Sequence, residues 1–116
     1  MAVQRVLVLG AGKVGKSVAE LLLAAGGGAY HVTIADREKA SLDEASAILG
    51  ALKGKVPFPV SFDSRQVDVT DPAAVRALLK GHQYVVCMLP FNFVKGIAEM
   101  ANELGVHYFD VTEDVE

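Results

Sequence analysis

Short apolar runs alternate with helical patterns along this chain. Residues 6–9 read Val-Leu-Val-Leu, and residues 84–88 are apolar apart from one tyrosine. Apolar runs without polar alternation are typical of strands that are buried on both faces of a parallel sheet. The pattern predicts five strands, at residues 5–9, 30–35, 65–69, 84–88 and 106–111. Pro57 and Pro59 argue against a central strand just before the third of these.

Apolar residues at helical spacing follow the first two predicted strands. The expected buried stripe of the first helix is Val14, Val18, Leu21, Leu22 and Ala25. Three glycines at positions 26–28 should end that helix and turn the chain. The second helix should begin after Asp36 and end at Gly54. Its expected buried face is Leu42, Ala45, Leu49 and Leu52.

The third and fourth helices carry start and stop signals. Asp71 and Pro72 predict an N-cap and a first helical residue, and Gly81 lies near the expected end. Asn92 is the expected N-cap of the fourth helix, which Gly105 should end. Their expected buried residues are Val75, Leu78 and Leu79 in the third helix and Val94, Ile97, Ala98 and Ala101 in the fourth.

Strand and helix therefore alternate five times. Such alternation predicts an α/β fold in which right-handed crossovers join parallel strands. We expect a Rossmann-like, doubly wound sheet with the strand order 3-2-1-4-5. The chain of 116 residues suits one domain, and 52% hydrophobic residues exclude a disordered profile.

Charge and cysteine content narrow the class of protein. The net charge is −3, with basic and acidic residues interspersed, which gives no electrostatic footprint for nucleic acid or an anionic membrane. No apolar stretch approaches the ~18 residues of a membrane span. The first strand begins too early for a signal peptide. Cys87 is the single cysteine, so an internal disulfide is excluded. We expect a cytoplasmic protein.

A glycine-rich turn links the first strand to the first helix. It reads Gly10, Ala11, Gly12, Lys13, Val14, Gly15. In such a turn the first glycine permits a tight bend, the second lets the backbone approach a pyrophosphate, and the third allows close packing of helix on strand. The N–H groups and partial positive charge at the helix start then favour phosphate binding. A glycine turn used only for packing is the alternative. Lys13 is expected to be solvated rather than to bind phosphate.

An acid ends the second predicted strand. Asp36 comes 21 residues after Gly15, the position at which a carboxylate binds the adenosine ribose in dinucleotide-binding folds. Its charge would repel a 2′-phosphate, which favours NAD over NADP. Arg37, which follows it, could stack on adenine or bind that phosphate, so NADP stays open. Asp36 could also cap the second helix.

Two later segments are expected to complete the binding site. Asp68 and Val69 end the third predicted strand, where Asp68 could accept a hydrogen bond from the adenine amino group or merely form a turn. Met88, Leu89 and Pro90 follow the fourth strand at the topological switch point, so we expect them to line the ribose on the nicotinamide side. Pro90 could alternatively serve only to end that strand.

The remaining reactive side chains suggest no catalytic site. Cys87 lies in an apolar strand and should be inert core. The three histidines, His31, His82 and His107, lack metal-ligand spacing, and His107 alone is expected near the carboxyl edge of the sheet. No serine or cysteine nucleophile motif occurs.

The second half of the chain carries a more specific pattern. Residues 67–72 read Val-Asp-Val-Thr-Asp-Pro, residues 84–90 read Tyr-Val-Val-Cys-Met-Leu-Pro, and residues 105–113 read Gly-Val-His-Tyr-Phe-Asp-Val-Thr-Glu. Together with the glycine turn, this succession resembles the N-terminal NAD(P)-binding domain of the saccharopine dehydrogenase / saccharopine reductase family. The resemblance covers essentially the whole chain. Phe91 departs from the small or proline residue that is common after Pro90 in that family.

The resemblance implies an NAD(P)-dependent oxidoreductase that transfers a hydride at a carbon–nitrogen bond of an amino-acid-derived substrate. Family members continue into a substrate-binding domain, so the resemblance also implies that residues 1–116 are the cofactor-binding part of a longer enzyme and inactive alone. None of the family's catalytic residues can be carried over. The exposed edge of the fifth strand offers a site for homo-oligomer formation. The alternative function is a non-catalytic NAD(H)-sensing module, similar to those of potassium channels and transporters.

Overall fold

The computed structural model describes residues 3–110 and contains one five-stranded parallel sheet. The strand order is β3-β2-β1-β4-β5, which confirms the predicted doubly wound topology. The strands are β1 (Gln4–Leu9), β2 (Tyr30–Asp36), β3 (Ser61–Gln66), β4 (Tyr84–Cys87) and β5 (His107–Asp110). The helices are α1 (Lys13–Ala25), α2 (Lys39–Gly50), α3 (Pro72–Leu79) and α4 (Phe91–Leu104).

The sheet separates two hydrophobic cores. Val8 and Ile34 point to the face covered by α1 and α2, where they pack with Leu49. Leu9 and Val85 point to the opposite face, where α3 and α4 cover them. Both sides of β1 are therefore buried, which is why its sequence is a continuous apolar run without polar alternation.

The third strand begins and ends earlier than the sequence predicts. It pairs with β2 from His31 opposite Ser61 to Asp36 opposite Gln66, rather than spanning residues 65–69. As an edge strand it is held by backbone pairing on one side, so it needs no apolar run and reads as polar. The apolar signal came from Val67, which is buried immediately after the strand.

The first helix is rotated from its predicted orientation. Its buried residues are Gly15, Ala19 and Leu23, whereas Val14 is 58% exposed and Leu21 is 65% exposed. A Cβ atom on Gly15 would lie 1.9 Å from the carbonyl oxygen of Gly10. This contact fixes Gly15 toward the sheet, and the small residue Ala19, one turn later, follows it inward.

Most predicted helix ends are confirmed. Gly26 caps α1, Gly105 caps α4 in the left-handed conformation, and the Asp71 side chain accepts a hydrogen bond from the Ala74 N–H at the start of α3. The predicted buried face of α2 is also confirmed, although α2 ends at Gly50 and a run of turns follows it.

Three predicted boundaries were wrong. Asn92 does not cap α4, because that helix begins one residue earlier, directly after Pro90, whose φ of −55° suits a helix start. Glu38 rather than Asp36 is the N-cap residue of α2. Strand β4 ends at Cys87, one residue before Met88. The predicted motif residues Val111, Thr112 and Glu113 lie outside the described residues.

Between residues 3 and 110 no helix is long and apolar enough to cross a membrane. The same residues contain no cluster of three or more side chains that could bind a metal ion.

Candidate functional site

The glycine turn lies at the carboxyl end of the central strand. Gly10 has a φ of +107°, a value that favours glycine, and its N–H donates to the Ala35 carbonyl oxygen at 2.7 Å. A Cβ on Gly10 would approach the Met88 Cβ at 3.2 Å. The turn is thus held between β2 and the residue that follows β4.

The second and third glycines occupy opposite environments. A Cβ on Gly12 would meet no atom within 4 Å, so the backbone at this position faces open space. Gly15 instead lies directly against the Gly10 carbonyl. Gly12 is the N-cap residue of α1 and no side chain caps that helix. The free N–H groups of the first turn therefore face a space where an anion could bind.

Asp36 links the end of β2 to the glycine turn. Its Oδ2 atom accepts a hydrogen bond from the Ala11 N–H at 2.6 Å, and its Oδ1 atom accepts one from the Glu38 N–H at 2.9 Å. An ionised carboxylate can accept about four hydrogen bonds. Asp36 therefore fixes the turn beside it and retains acceptor capacity for a diol.

A cavity of about 270 Å³ opens beside Asp36, at the carboxyl ends of β2, β3 and β4. It brings together six residues that the sequence analysis selected: Asp36, Arg37, Asp68, Val69, Leu89 and Pro90. It also includes five that the sequence analysis did not select, namely Ala35, Glu38, Val67, Thr70 and Phe93. Each of these is within three residues of a selected residue, so proximity in sequence was the available signal.

Asp68 lies in the loop after β3, two residues past the strand end. Its Oδ1 atom accepts hydrogen bonds from the Thr70 hydroxyl at 2.6 Å and the Thr70 N–H at 2.9 Å. These bonds lower the pKa of the Asp68 carboxyl below its usual value, and the nearby positive charge of Arg37 contributes to the shift. Asp68 is therefore ionised at neutral pH and acts as an acceptor at the cavity rim.

Arg37 and Glu38 form the other rim. Their side chains are 71% and 65% exposed, and the Arg37 Nε lies 3.5 Å from a Glu38 carboxylate oxygen. The Gln66 side-chain amide donates to the Arg37 carbonyl oxygen at 3.0 Å, which holds the backbone of this rim. Among residues 3–110 the Arg37 guanidinium has this one ion pair, at 3.5 Å, so it can turn toward a ligand in the cavity.

The segment after β4 is divided between two environments. Met88 packs on Gly10, and its N–H donates to the Leu9 carbonyl oxygen at 2.8 Å. Leu89 and Pro90 instead line the same cavity as Asp36 and Asp68. The structure therefore places these two residues beside the predicted adenosine-binding residues rather than apart from them.

Reactive side chains elsewhere show one grouping that the sequence did not predict. Cys87 is buried, as expected, and burial raises the pKa of its thiol. His31 and His82, however, share a hydrogen-bond network with Thr33 and Asp63 on the α3 face of the sheet. The hydrogen-bonded pairs are 30 to 49 positions apart in sequence, so only the tertiary fold brings them together.

Comparison with known families supports the assignment that the geometry suggests. A family model described as the saccharopine dehydrogenase NADP binding domain matches residues 6–115. The chain belongs to this family. Its cofactor is accordingly NAD(P), and its family is of the oxidoreductase type.

Solved structures share the fold of this saccharopine dehydrogenase-type domain. Saccharopine dehydrogenase (L-Glu forming) from Saccharomyces cerevisiae has 23% sequence identity and a TM-score of 0.67 over 97% of this chain and 22% of its own. Lactate dehydrogenase from Eimeria maxima, solved with NADH and oxamate, has 8% identity and a TM-score of 0.70 over 97% of this chain and 37% of its own. Actinorhodin polyketide ketoreductase, solved with NADPH, has 17% identity and a TM-score of 0.66 over 90% of this chain and 49% of its own.

The chain thus spans between about a fifth and a half of these structures. At such identities the similarity shows the fold alone. The residues present nevertheless fit a dinucleotide, because the backbone at Gly12 is open where a pyrophosphate needs close approach and a carboxylate ends β2.

Proposed function

We propose that this domain binds the dinucleotide cofactor of a longer oxidoreductase and holds it across the carboxyl edge of the sheet. The observation that carries the proposal is the hydrogen bond from the Ala11 N–H to Asp36, which joins the glycine turn to the acid at the end of β2. This bond makes the two predicted elements one site. The bound nicotinamide supplies the hydride chemistry.

Each part of the site has a role in this proposal. The open backbone at Gly12 and the N-terminus of α1 bind the pyrophosphate. Asp36 accepts hydrogen bonds from the adenosine ribose. The adenine ring occupies the apolar cavity against Val69, Leu89 and Pro90. Asp68 lies at the rim, where its Oδ2 atom can accept from the adenine amino group.

We further propose that NAD is bound more tightly than NADP. Asp36, Glu38 and Asp68 contribute three carboxylates to the cavity, whereas Arg37 contributes the one guanidinium among its lining residues. A 2′-phosphate beside Asp36 would bring two negative charges together in a partly buried site, which costs binding free energy.

Calorimetric titration of NADH and NADPH tests this preference. We expect the wild-type domain to bind NADH at least tenfold more tightly, and Asp36→Asn to reduce that ratio. Asp36→Asn removes the negative charge, but its amide oxygen can still accept the hydrogen bond from the Ala11 N–H. Asp43→Asn, an exposed change on α2, is the matched control and should keep the wild-type ratio. Equal or tighter binding of NADPH by the wild type would contradict the proposal.

The reaction proposed for the whole enzyme is hydride transfer at a carbon–nitrogen bond of an amino-acid-derived substrate. Support comes from membership of the saccharopine dehydrogenase family. The coverage of 22% of the yeast enzyme supports a substrate site supplied by further polypeptide. A cytoplasmic location, pairing of two copies through the β5 edge and the absence of a nucleic-acid partner remain parts of this proposal.

A further inference from the structure

A second polar cavity lies on the α3 face of the sheet, away from the glycine turn. Its volume is about 260 Å³, and its lining includes Arg5 at the start of β1, Arg65 on β3 and the Lys80–His82 turn before β4. Thr33 of β2 forms part of its floor and is 2% exposed. Three basic side chains and a histidine thus come from three separate parts of the fold to one cavity.

The Asp63 carboxylate lies beside the cavity, and both of its oxygen atoms already accept hydrogen bonds. Asp63 Oδ1 accepts hydrogen bonds from the Thr33 hydroxyl at 2.6 Å and from the His31 Nε2 at 2.9 Å. Asp63 Oδ2 accepts from the Arg65 Nε at 3.0 Å. Burial opposes ionisation, but these three donors together lower the pKa of the Asp63 carboxyl. The charge of Asp63 is therefore already balanced by Arg65 and the two other donors.

Arg5 and Lys80 have no such partner. Within residues 3–110, no carboxylate lies within ion-pair distance of either side chain. Backbone hydrogen bonds nevertheless hold Arg5 in place, because its N–H donates to the Gln83 side chain at 2.7 Å and its carbonyl accepts from the Gln83 N–H at 3.0 Å. Two positive charges therefore remain uncompensated beside the cavity, in a chain whose net charge is −3.

The electrostatics of His82 agree with this excess of positive charge. Its Nδ1 donates to the Leu78 carbonyl oxygen at 2.9 Å, and its Nε2 lies 3.2 Å from the Thr33 hydroxyl oxygen. Burial lowers the pKa of the His82 imidazole, and the charge of Arg5 lowers it further. A negative ligand in the cavity would offset the effect of Arg5 and stabilise the imidazolium.

We propose that this cavity binds a small oxyanion of the phosphate type through Arg5 and Lys80, beside the His82 ring. Arg65 contributes the guanidinium hydrogens that it does not donate to Asp63. The site is distinct from the glycine turn and does not depend on cofactor binding. Its ligand class follows from the charges and donors, since guanidinium and ammonium groups form their strongest hydrogen bonds with oxyanions.

NMR titration of the 116-residue chain with inorganic phosphate tests the site, with sodium chloride at equal ionic strength as reference. We expect phosphate to move the His82 ring signals and the Lys80 and Gly81 amide signals, and to raise the pKa measured for His82. Signals of Gly12 report separately on phosphate at the glycine turn. If the cofactor proposal is wrong, the Gly12 signal should not respond to phosphate, whereas the His82 signals should still respond.

Two variants and a control make the test specific. Arg5→Gln and Lys80→Ala should each weaken phosphate binding about tenfold, because each removes one charge-assisted contact. Lys55→Ala removes the same charge at an exposed position in the turns after α2 and should leave the affinity unchanged. An equal response to chloride, an unaltered affinity in both cavity variants, or movement of the Gly12 signals alone would overturn the proposal.

Discussion

At the scale of the residue, the two glycines of the turn have different structural requirements. The spacing of the motif predicts an open backbone at Gly12 and close packing at Gly15. Gly15 has the Gly10 carbonyl 1.9 Å from the position of a Cβ, whereas Gly12 has open space there. Gly15 is therefore required by the packing of the turn, whereas we propose that Gly12 is required by the ligand.

Alanine at these positions should give opposite results. We expect Gly15→Ala to lower the free energy of unfolding by about 1–3 kcal/mol, because the helix must shift away from β1. Gly12→Ala should change stability by less than about 1 kcal/mol, since a φ of −72° suits alanine. It should still weaken NADH binding at least tenfold. Thermal unfolding and calorimetry of both variants measure this, and equal stability losses would contradict it.

At the scale of the element, tertiary contacts override the apolar pattern in two places. The most regular apolar stripe of α1 includes Val14 and Leu21, both of which are exposed, because the Gly15 contact fixes the rotation of the helix. Strand β3 is polar because it lies at the sheet edge. The buried face of α2 was predicted correctly. Leu42, Ala45 and Leu49 are buried there, and among the described residues no close glycine contact fixes the rotation of this helix.

The turn between α3 and β4 should make stability dependent on pH. Burial lowers the pKa of His82 from 6.5, and the charges of Arg5 and His31 lower it further. The Leu78 carbonyl and Asp63 act in the opposite direction, but the pKa is lowered on balance. Near pH 6, His82 therefore binds more protons in the unfolded chain than in the folded chain. The contribution of neutral His82 to the free energy of unfolding is fully present above its unfolded-state pKa of 6.5. It is lost as the pH falls through the lower pKa of the folded state.

Urea unfolding between pH 7.5 and 5.5 measures this effect. We expect His82→Gln to reduce the slope of the free energy of unfolding against pH. The reduction should be smaller than the ~1.4 kcal/mol per pH unit that one full proton gives, because the site is partly solvated. His107→Gln, on exposed β5, serves as the matched control and should retain the wild-type slope. An unchanged slope in the His82 variant would exclude the histidine as its source.

At the scale of the whole molecule, the domain presents a cofactor site and offers no residues assigned to a substrate. We therefore expect the 116-residue chain to bind NADH but to catalyse no oxidation or reduction of saccharopine. Spectrophotometry at 340 nm, a wavelength at which reduced nicotinamide absorbs, measures the turnover. Saccharopine-dependent formation of NADH by the purified chain would show that residues 1–116 hold a complete active site.

The sequence by itself determined the order of the elements, the strand order of the sheet and the glycine turn followed by Asp36. These features depend on local periodicity, on the handedness of crossovers and on backbone conformations that glycine favours. Tertiary structure alone decided the rotation of α1, the bounds of β3 and the cavity around Asp63 and His82. The bounds of β3 and the cavity depend on contacts between residues that are distant in sequence, and spacing along one chain carries no information about such contacts. The rotation of α1 depends on the close contact of Gly15 with the Gly10 carbonyl, which the apolar pattern of the helix does not show.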